Sequence, residues 1–289
     1  MPPRSHRFPS SQLVKLHNEV VRFSRFLLPT DQEREARDLA IARICGCIAE
    51  IWPGSSSEVF GSFATGLYLP TSDVDLVIFH AGGVKGPGGV QAALRALATK
   101  LARNHLATDI QVIAKARVPI VKFQEQASGF NFDVSFDQAS GPQAAGYVRE
   151  LVSTLPQIRP LLLVLKTFLS QRECNEVYTG GIGSYGLLCM LASFLLSHPS
   201  RRTKAGLEGC LGTLLIDFFM HYGRLLNTQT VGVSCLRGGG FFLKRFRGLD
   251  QPDRPYLLCI EDPQDTSNDL GKNSFAFVRV SHVRGLSAP

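Results

Sequence analysis

The chain lacks the marks of several protein classes. Its seven cysteines are scattered with no C-x-x-C pair, and Cys45 and Cys47 would point to different sides of an expected helix. Zinc-ribbon or finger sites and a disulfide framework are thereby excluded, and the usage suits a reducing compartment. The opening MPPRSHRFPSS has no apolar core, so it does not read as a secretory signal, and residues 1–10 are expected to be loose. The longest apolar runs, around Leu161–Leu165 and Leu187–Leu196, are too short to cross a bilayer and read as buried helices, so no membrane is expected among the partners. The glycine-rich run His80–Gly89 lacks the G-x-x-x-x-G-K-[ST] pattern and reads as a surface insertion. No RRM, KH or zinc-knuckle pattern occurs, there is no internal repeat, and Arg201-Arg202-Thr203-Lys204 is too short to count as an import signal.

What remains is a chain of 289 residues, 44% hydrophobic, able to bury one large or two small cores. Its net charge of +7 suits a polyanionic partner, although many basic proteins bind none.

The most telling stretch is FGSFATGLYLPTSDVDLVIF, in which Gly61-Ser62 precedes Asp73-Val74-Asp75 by ten residues. A strand ending at Gly61, a short helix and a return strand are expected. Residues i and i+2 of a strand share a face, so Asp73 and Asp75 converge. The apolar run Leu76–Phe79 buries the strand behind them, where unpaired carboxylates are costly. Phe130–Phe136 alternates, with Phe130, Phe132, Val134 and Phe136 toward a core and Asn131, Asp133 and Ser135 away from it. If this strand pairs beside the first, Asp133 joins the cluster. Three close acids repel until a cation arrives, and oxygen ligands favour hard divalent ions.

Apolar spacing gives a first helix over Gln12–Phe26, ended by Pro29. Thr30-Asp31-Gln32-Glu33 is a capping box for a second, whose stripe is Ile41, Ile44, Ile48 and Ile51. Strands are expected at Glu58–Phe60, Asp73–Phe79, Asp109–Ile113, Val118–Phe123 and Phe130–Phe136, with a helix over Gln91–Arg103. Helical patterns then dominate, over Pro142–Leu151, Pro156–Ser170, Ser184–Ser197 and Glu208–Leu225, and Val231–Phe246 suggests a hairpin. The expected fold is α/β plus helical and two-lobed. A small mixed-sheet catalytic lobe covers 30–138, and a mainly helical lobe covers 139–289 with 11–29 packed onto it; the site would lie between them.

The Gly-Ser, Asp-x-Asp and later Asp pattern resembles the DNA polymerase β-like nucleotidyltransferase superfamily. LYLPTSDVDLVIF, VPIVKF before NFDVSFD, LLLVLKTFLSQRECNEVYTGGIGSYG and IEDPQDTSND together look like the TRAMP-type noncanonical poly(A) polymerases, from about Leu16 to about Phe275. The resemblance implies template-independent addition of AMP from ATP to RNA 3′ ends. Two Mg²⁺ or Mn²⁺ ions would be held by Asp73, Asp75 and Asp133. It also implies a zinc-knuckle RNA-binding partner, an RNA helicase and work in nuclear RNA surveillance.

It assigns nucleotide contacts to Gly61, Ser62, Gly141, Lys166, Ser184, Tyr185, Asn268 and Lys272. Each also has a plainer reading. Lys166, in the apolar LLLVLKTFL, either snorkels to water or meets phosphate; the second lysine that relatives often place a turn later is Ser170 here. Ser184 reads as a helix N-cap, Tyr185 as a core aromatic or a base-stacking platform. Asn268 stands where adenylyl-specific relatives carry asparagine and uridylyl-specific ones histidine, but also in an Asx-rich turn. Lys272 replaces a usual arginine and loses its bidentate geometry. Lys115, Arg117, Lys122, Lys244, Arg245 and Arg247 are candidates for RNA phosphate contact, with solvated faces as the default. A uridylyl or relaxed transferase stays open. So does a catalytically weak scaffold, because the chain stops at Gly285–Pro289 where relatives usually continue with further helical sequence.

Overall fold

A computed structural model describes residues 10–79, 84, 86–202, 207 and 209–277. Half of the tetrapeptide Arg201–Lys204, half of the glycine-rich run His80–Gly89, the opening residues 1–9 and the final Gly285–Pro289 fall outside the described residues. The chain divides into two compact units, one of Leu27–Glu150 and one assembled from Met1–Phe26 and Leu151–Pro289. The expected boundaries lay at 29/30 and 138/139.

The first unit is a five-stranded sheet covered by helices. Its strands are β1 (Ser56–Phe60), β2 (Val74–Phe79), β3 (Ala107–Ile113), β4 (Ile120–Glu125) and β5 (Asn131–Phe136), in the order β1-β2-β5-β4-β3. Only β2 and β5 run parallel; every other neighbouring pair is antiparallel. Helix α2 (Asp31–Ile51) begins at the expected capping box, in which the Thr30 hydroxyl accepts from the Glu33 backbone N–H and the Glu33 carboxylate accepts from the Thr30 N–H. Short α3 (Gly61–Thr65) follows β1, and α4 (Gly86–Arg103) joins β2 to β3. Ile44 and Ile48 of α2 and Leu94, Leu97 and Leu101 of α4 form one core with Val74, Leu76 and Ile78 of β2 and Phe132, Val134 and Phe136 of β5. That face takes every second residue of each strand, as the alternation of β5 required.

The second unit is mainly helical. It holds α1 (Ser10–Phe26), α6 (Ile158–Ser170), α7 (Ser184–Ser197) and α8 (Leu211–Met220); α5 (Ser140–Thr154) runs across the unit boundary. Helix α1 packs on α6 and α8. Its approach to α8 is close because Gly212 has no Cβ; one there would meet the His17 N and the Leu13 carbonyl oxygen at 2.7 Å. His17 Nδ1 accepts the Leu211 N–H at 3.2 Å. From Gly186 to Leu195 every residue of α7 is buried, which explains a run that is apolar all round. The expected helix Glu208–Leu225 is shorter at both ends: it starts at Leu211 and gives way after Met220 to a single wide turn over His221–Leu225. Two hairpins complete the unit. The expected one is β6 (Val231–Ser234) with β7 (Gly240–Leu243), followed by α9 (Lys244–Arg247). The other is β8 (Glu261–Asp262) with β9 (Asp265–Asp269).

Glu125, 1% exposed at the end of β4, is paired with Arg43 of α2 at 2.8 Å and accepts from the Ser128 N–H and hydroxyl. Burial pushes its carboxyl pKa up, but these partners outweigh that, and the net shift is downward. A lowered folded pKa contributes stability that is full above the unfolded value and is lost as pH falls through the folded one. Glu125→Gln should therefore lower stability at pH 7 by about 1–2 kcal/mol, with the exposure of Arg43 limiting the effect. It should also flatten the decline of melting temperature below pH ~5 relative to the parent; identical acid limbs in a melting-temperature series would refute the assignment.

Candidate functional site

Register builds the acidic site. Asp75 of β2 lies directly opposite Asp133 of β5, and Lys122 of β4 lies opposite Asp133 on its other side. All three project from the sheet face away from the core. Val77 and Ser135 share that face and are also buried, at 0% and 2% exposure, so the sheet is covered at these two positions as well. Asp73 falls one residue before β2 rather than within it. It still joins the group: Lys122 Nζ sits 3.6 Å from Asp73 Oδ2 and 3.1 Å from Asp133 Oδ2.

Gly61 completes the wall. Its φ is +65°, and a Cβ at this position would stand 2.0 Å from Asp75 Oδ2. Phe60, its neighbour, is the register partner of Asp75. Ser62 follows in the first turn of α3, where its carbonyl accepts from the Leu67 N–H at 3.0 Å. Gly141, in the first turn of α5, has a packing reason for its identity, since a Cβ there would meet the Phe60 ring at 2.5 Å.

A buried arginine sets the approach to Asp73. Arg37, 1% exposed, donates from Nη1 to the Ser72 carbonyl at 2.9 Å and from Nη2 to the Pro70 carbonyl at 2.6 Å. Its guanidinium lies 4.3 Å from the centre of the Phe130 ring and 5.1 Å from that of Tyr68. The turn Leu69–Ser72 is closed further by the Ser72 hydroxyl, which accepts the Leu69 N–H at 2.9 Å.

Among the described residues no three His, Cys, Asp or Glu side chains are gathered tightly enough to hold a metal by themselves. The donor set nevertheless fits a divalent ion in kind: carboxylate oxygens around a position already occupied by a positive charge, the Lys122 ammonium. Asp73, Asp75 and Asp133 are the residues that would hold it.

The other predicted residues fall in the helical unit. Lys166 of α6 is buried, at 8% exposure, among the leucines of that helix. Ser184 is the first residue of α7 and not its N-cap; that place belongs to Gly183, and no side chain caps the helix. Tyr185 is half-buried rather than core, and its hydroxyl lies 3.5 Å from Asp262 Oδ1. Asn268 Nδ2 donates to Asp262 Oδ2 at 2.9 Å, and Oδ1 also accepts the Gln264 N–H. One carboxylate at the turn of the β8–β9 hairpin thus joins Tyr185 to Asn268. Lys272 is exposed in the turn after β9. Sequence reasoning missed Asp262, Arg37 and the inward use of Lys122. It also placed Lys244 and Arg247 among possible RNA contacts. Lys244 is buried and donates to the Pro255 and Leu257 carbonyls, and Arg247 pairs with buried Glu261.

Gly61→Ala should cost stability through the positive φ and the collision with Asp75. Roughly 2 kcal/mol is expected. A fall of about 4–8 °C in melting temperature checks it, and a parent-like melting curve would show that the Gly61–Asp75 contact is not tight.

A family model described as "Poly(A) RNA polymerase, mitochondrial-like, central palm domain" matches residues 16–146, and one described as "Cid1 family poly A polymerase" matches 210–268. The poly(A) RNA polymerase CID14 of Cryptococcus neoformans is 41% identical over 271 residues, 93% of this chain and 35% of that protein. The inactive noncanonical poly(A) RNA polymerase protein Trf4-2 of Drosophila melanogaster is 38% identical, over 96% of this chain and 67% of that protein. Among solved structures, the polymerase core of TRAMP, an RNA surveillance complex, superposes with a TM-score of 0.85 at 36% identity, covering 93% of this chain and 84% of that one. The chain spans about a third to under a half of the length of the first curated relatives it matches, 35% to 44%. With these likenesses running through both units, the chain belongs to the noncanonical poly(A) RNA polymerase family.

Proposed function

We propose that the chain is a nucleotidyltransferase core that adds AMP from ATP to RNA 3′ ends. The observation that carries this reading is the placing of Asp75 opposite Asp133, with Asp73 tied to the same spot through Lys122, in a chain whose relatives are poly(A) RNA polymerases. Bound divalent ions would supply Lewis-acid activation of a 3′-hydroxyl and neutralise the departing pyrophosphate. Asp73, Asp75 and Asp133 are assigned to holding them, with Asp133 next to the attacking hydroxyl. The rest of the chain positions and excludes. Gly61 leaves room at Asp75, and Ser62 offers its hydroxyl to phosphate. Lys166 is assigned to the triphosphate, Ser184 and Gly141 to the same nucleotide and exposed Lys272 to its periphery.

Tyr185 is assigned to stacking on the base, which is tolerant of base identity. Choice of base then falls to Asn268. Asp262 takes the donor end of its amide, so Oδ1 is the end turned elsewhere. An acceptor complements the adenine N6 amino group and opposes the uracil O4. This supports ATP over UTP. The likeness to the polymerase core of TRAMP, an RNA surveillance complex, supports work on RNA within a complex; the nucleus as its place, and a zinc-knuckle RNA-binding protein and a helicase as its partners, complete the proposal. The relative described as inactive supports a second reading, a scaffold without turnover.

Primer extension on an oligoadenylate RNA with each nucleoside triphosphate separates these readings. An ATP-dependent ladder is expected, abolished in Asp73→Ala/Asp75→Ala with the fold retained by circular dichroism. No ladder with any nucleotide, zinc-knuckle partner included, would establish the scaffold.

Asp262→Ala should release both Tyr185 and Asn268 and lower kcat/KM for ATP by about tenfold, one lost buried hydrogen-bond network. Asn268→His should move preference toward UTP, because a ring N–H meets O4. Unchanged ATP:UTP ratios in both variants would remove Asn268 from base selection.

A further inference from the structure

Lys122 has no option but to face the acids. Its neighbours Val121 and Phe123 lie in the core at 0% and 3% exposure, so the strand pleat turns residue 122 to the acidic face. Phe123 stacks on Phe132 of β5 with ring centres 5.4 Å apart and planes 3° from parallel, and this clamps the register beside the Lys122–Asp133 pair. The ammonium then lies 3.1 Å from Asp133 Oδ2 and 3.6 Å from Asp73 Oδ2. Side-chain exposures of 39% for Lys122, 36% for Asp73 and 20% for Asp133 leave the position accessible to ions from solvent.

A single ammonium there has two effects. It relieves the repulsion between two carboxylates on adjoining elements and holds them facing each other. It also occupies the oxygens that a divalent ion needs. An ammonium at Asp73 Oδ2 and Asp133 Oδ2 competes with a divalent ion for the same oxygen lone pairs and the same space, so one must leave for the other to reach contact distance.

We infer that Lys122 is a resident counter-cation that orients Asp73 and Asp133 in the metal-free protein and must be displaced for a divalent ion to bind. This rests on the reading of the acids as metal ligands. It makes Lys122 a positioning residue that raises the metal concentration the empty site requires. A nucleoside triphosphate arrives with several negative charges and shifts the balance back toward the divalent ion. Metal entry is therefore tied to nucleotide entry, and the swung-away ammonium retains its charge for the incoming phosphates.

The test is Mn²⁺ titration of nucleotide-free protein, followed by electron paramagnetic resonance of the free ion, in the parent, Lys122→Gln, Lys122→Arg and Asp73→Ala/Asp75→Ala. Removing one unit charge at contact distance under solvent screening should tighten Mn²⁺ binding in Lys122→Gln roughly three- to tenfold. Lys122→Arg keeps the charge and should stay within about twofold of the parent. The melting temperature of metal-free Lys122→Gln should fall below the parent's, and Mn²⁺ should raise it by more. Unchanged or weaker Mn²⁺ binding in Lys122→Gln, with parent binding intact and lost in the double alanine variant, overturns the role of Lys122 alone. Absence of any acid-dependent Mn²⁺ binding in the parent overturns the metal assignment, and this inference with it.

Discussion

The parallel pairing of β2 with β5 is the constraint on which the acidic site depends. In this register Val74 meets Phe132, Leu76 meets Val134 and Ile78 meets Phe136, all of them at most 2% exposed. The residues between them, Asp75 and Asp133, are thereby set side by side on the opposite face. A slip of one residue would send a carboxylate into a packed apolar core and bring Leu76 out of it. Burial of three residue pairs therefore fixes the acids, and the chemistry rides on a register chosen by hydrophobic packing. The antiparallel β4–β5 pairing adds Lys122 by the same logic.

The helical unit positions its groups differently. The β8–β9 hairpin is short, and no apolar alternation sets its register. Its order comes from carboxylates. Asp269 Oδ1 accepts the Ile260 and Gly271 N–H groups at 2.8 and 2.7 Å, Asp262 accepts from Gln264 and Asn268, and Glu261 is paired with Arg247. Burial pushes the Asp269 carboxyl pKa up, and its two backbone donors act against that. A hairpin held by such bonds presents Asn268 with a fixed amide orientation, which a core of leucines could not impose.

These two modes explain what the sequence disclosed. Elements whose register follows apolar period were legible, Phe130–Phe136 and the bounds of α7 among them, as were the capping box before α2 and the pairing of the Asp133 strand beside that of Asp75. Long-range polar partners were not. Arg37 reaches carbonyls 33 and 35 residues away, Lys244 bonds 11 and 13 residues ahead, and Tyr185 meets a carboxylate 77 residues on. No periodicity marks such a partner, because one charged side chain looks the same in sequence whether it faces water or a buried carbonyl. Local competition also went unseen. Ser184 is a good capping residue by type, yet the helix starts one residue earlier in its register, and Gly183 holds the extended cap conformation at φ −64°, ψ 157°.

The same polar commitments change what the net charge of +7 means. Arg37 and Lys244 are buried on backbone carbonyls, Arg43 and Arg247 answer buried glutamates, and Lys122 answers two aspartates. Counterion release on binding a polyanion requires cations that face phosphate, so each of these reduces the share available to RNA. Lys115, Arg117 and Arg245 remain on the exposed surface. A basic sequence is thus not a uniformly basic surface. Five of the chain's 31 lysines and arginines are committed in this way to its own sheet, acids and hairpins, and they do so at the positions where the sequence alone would count them as free surface charge.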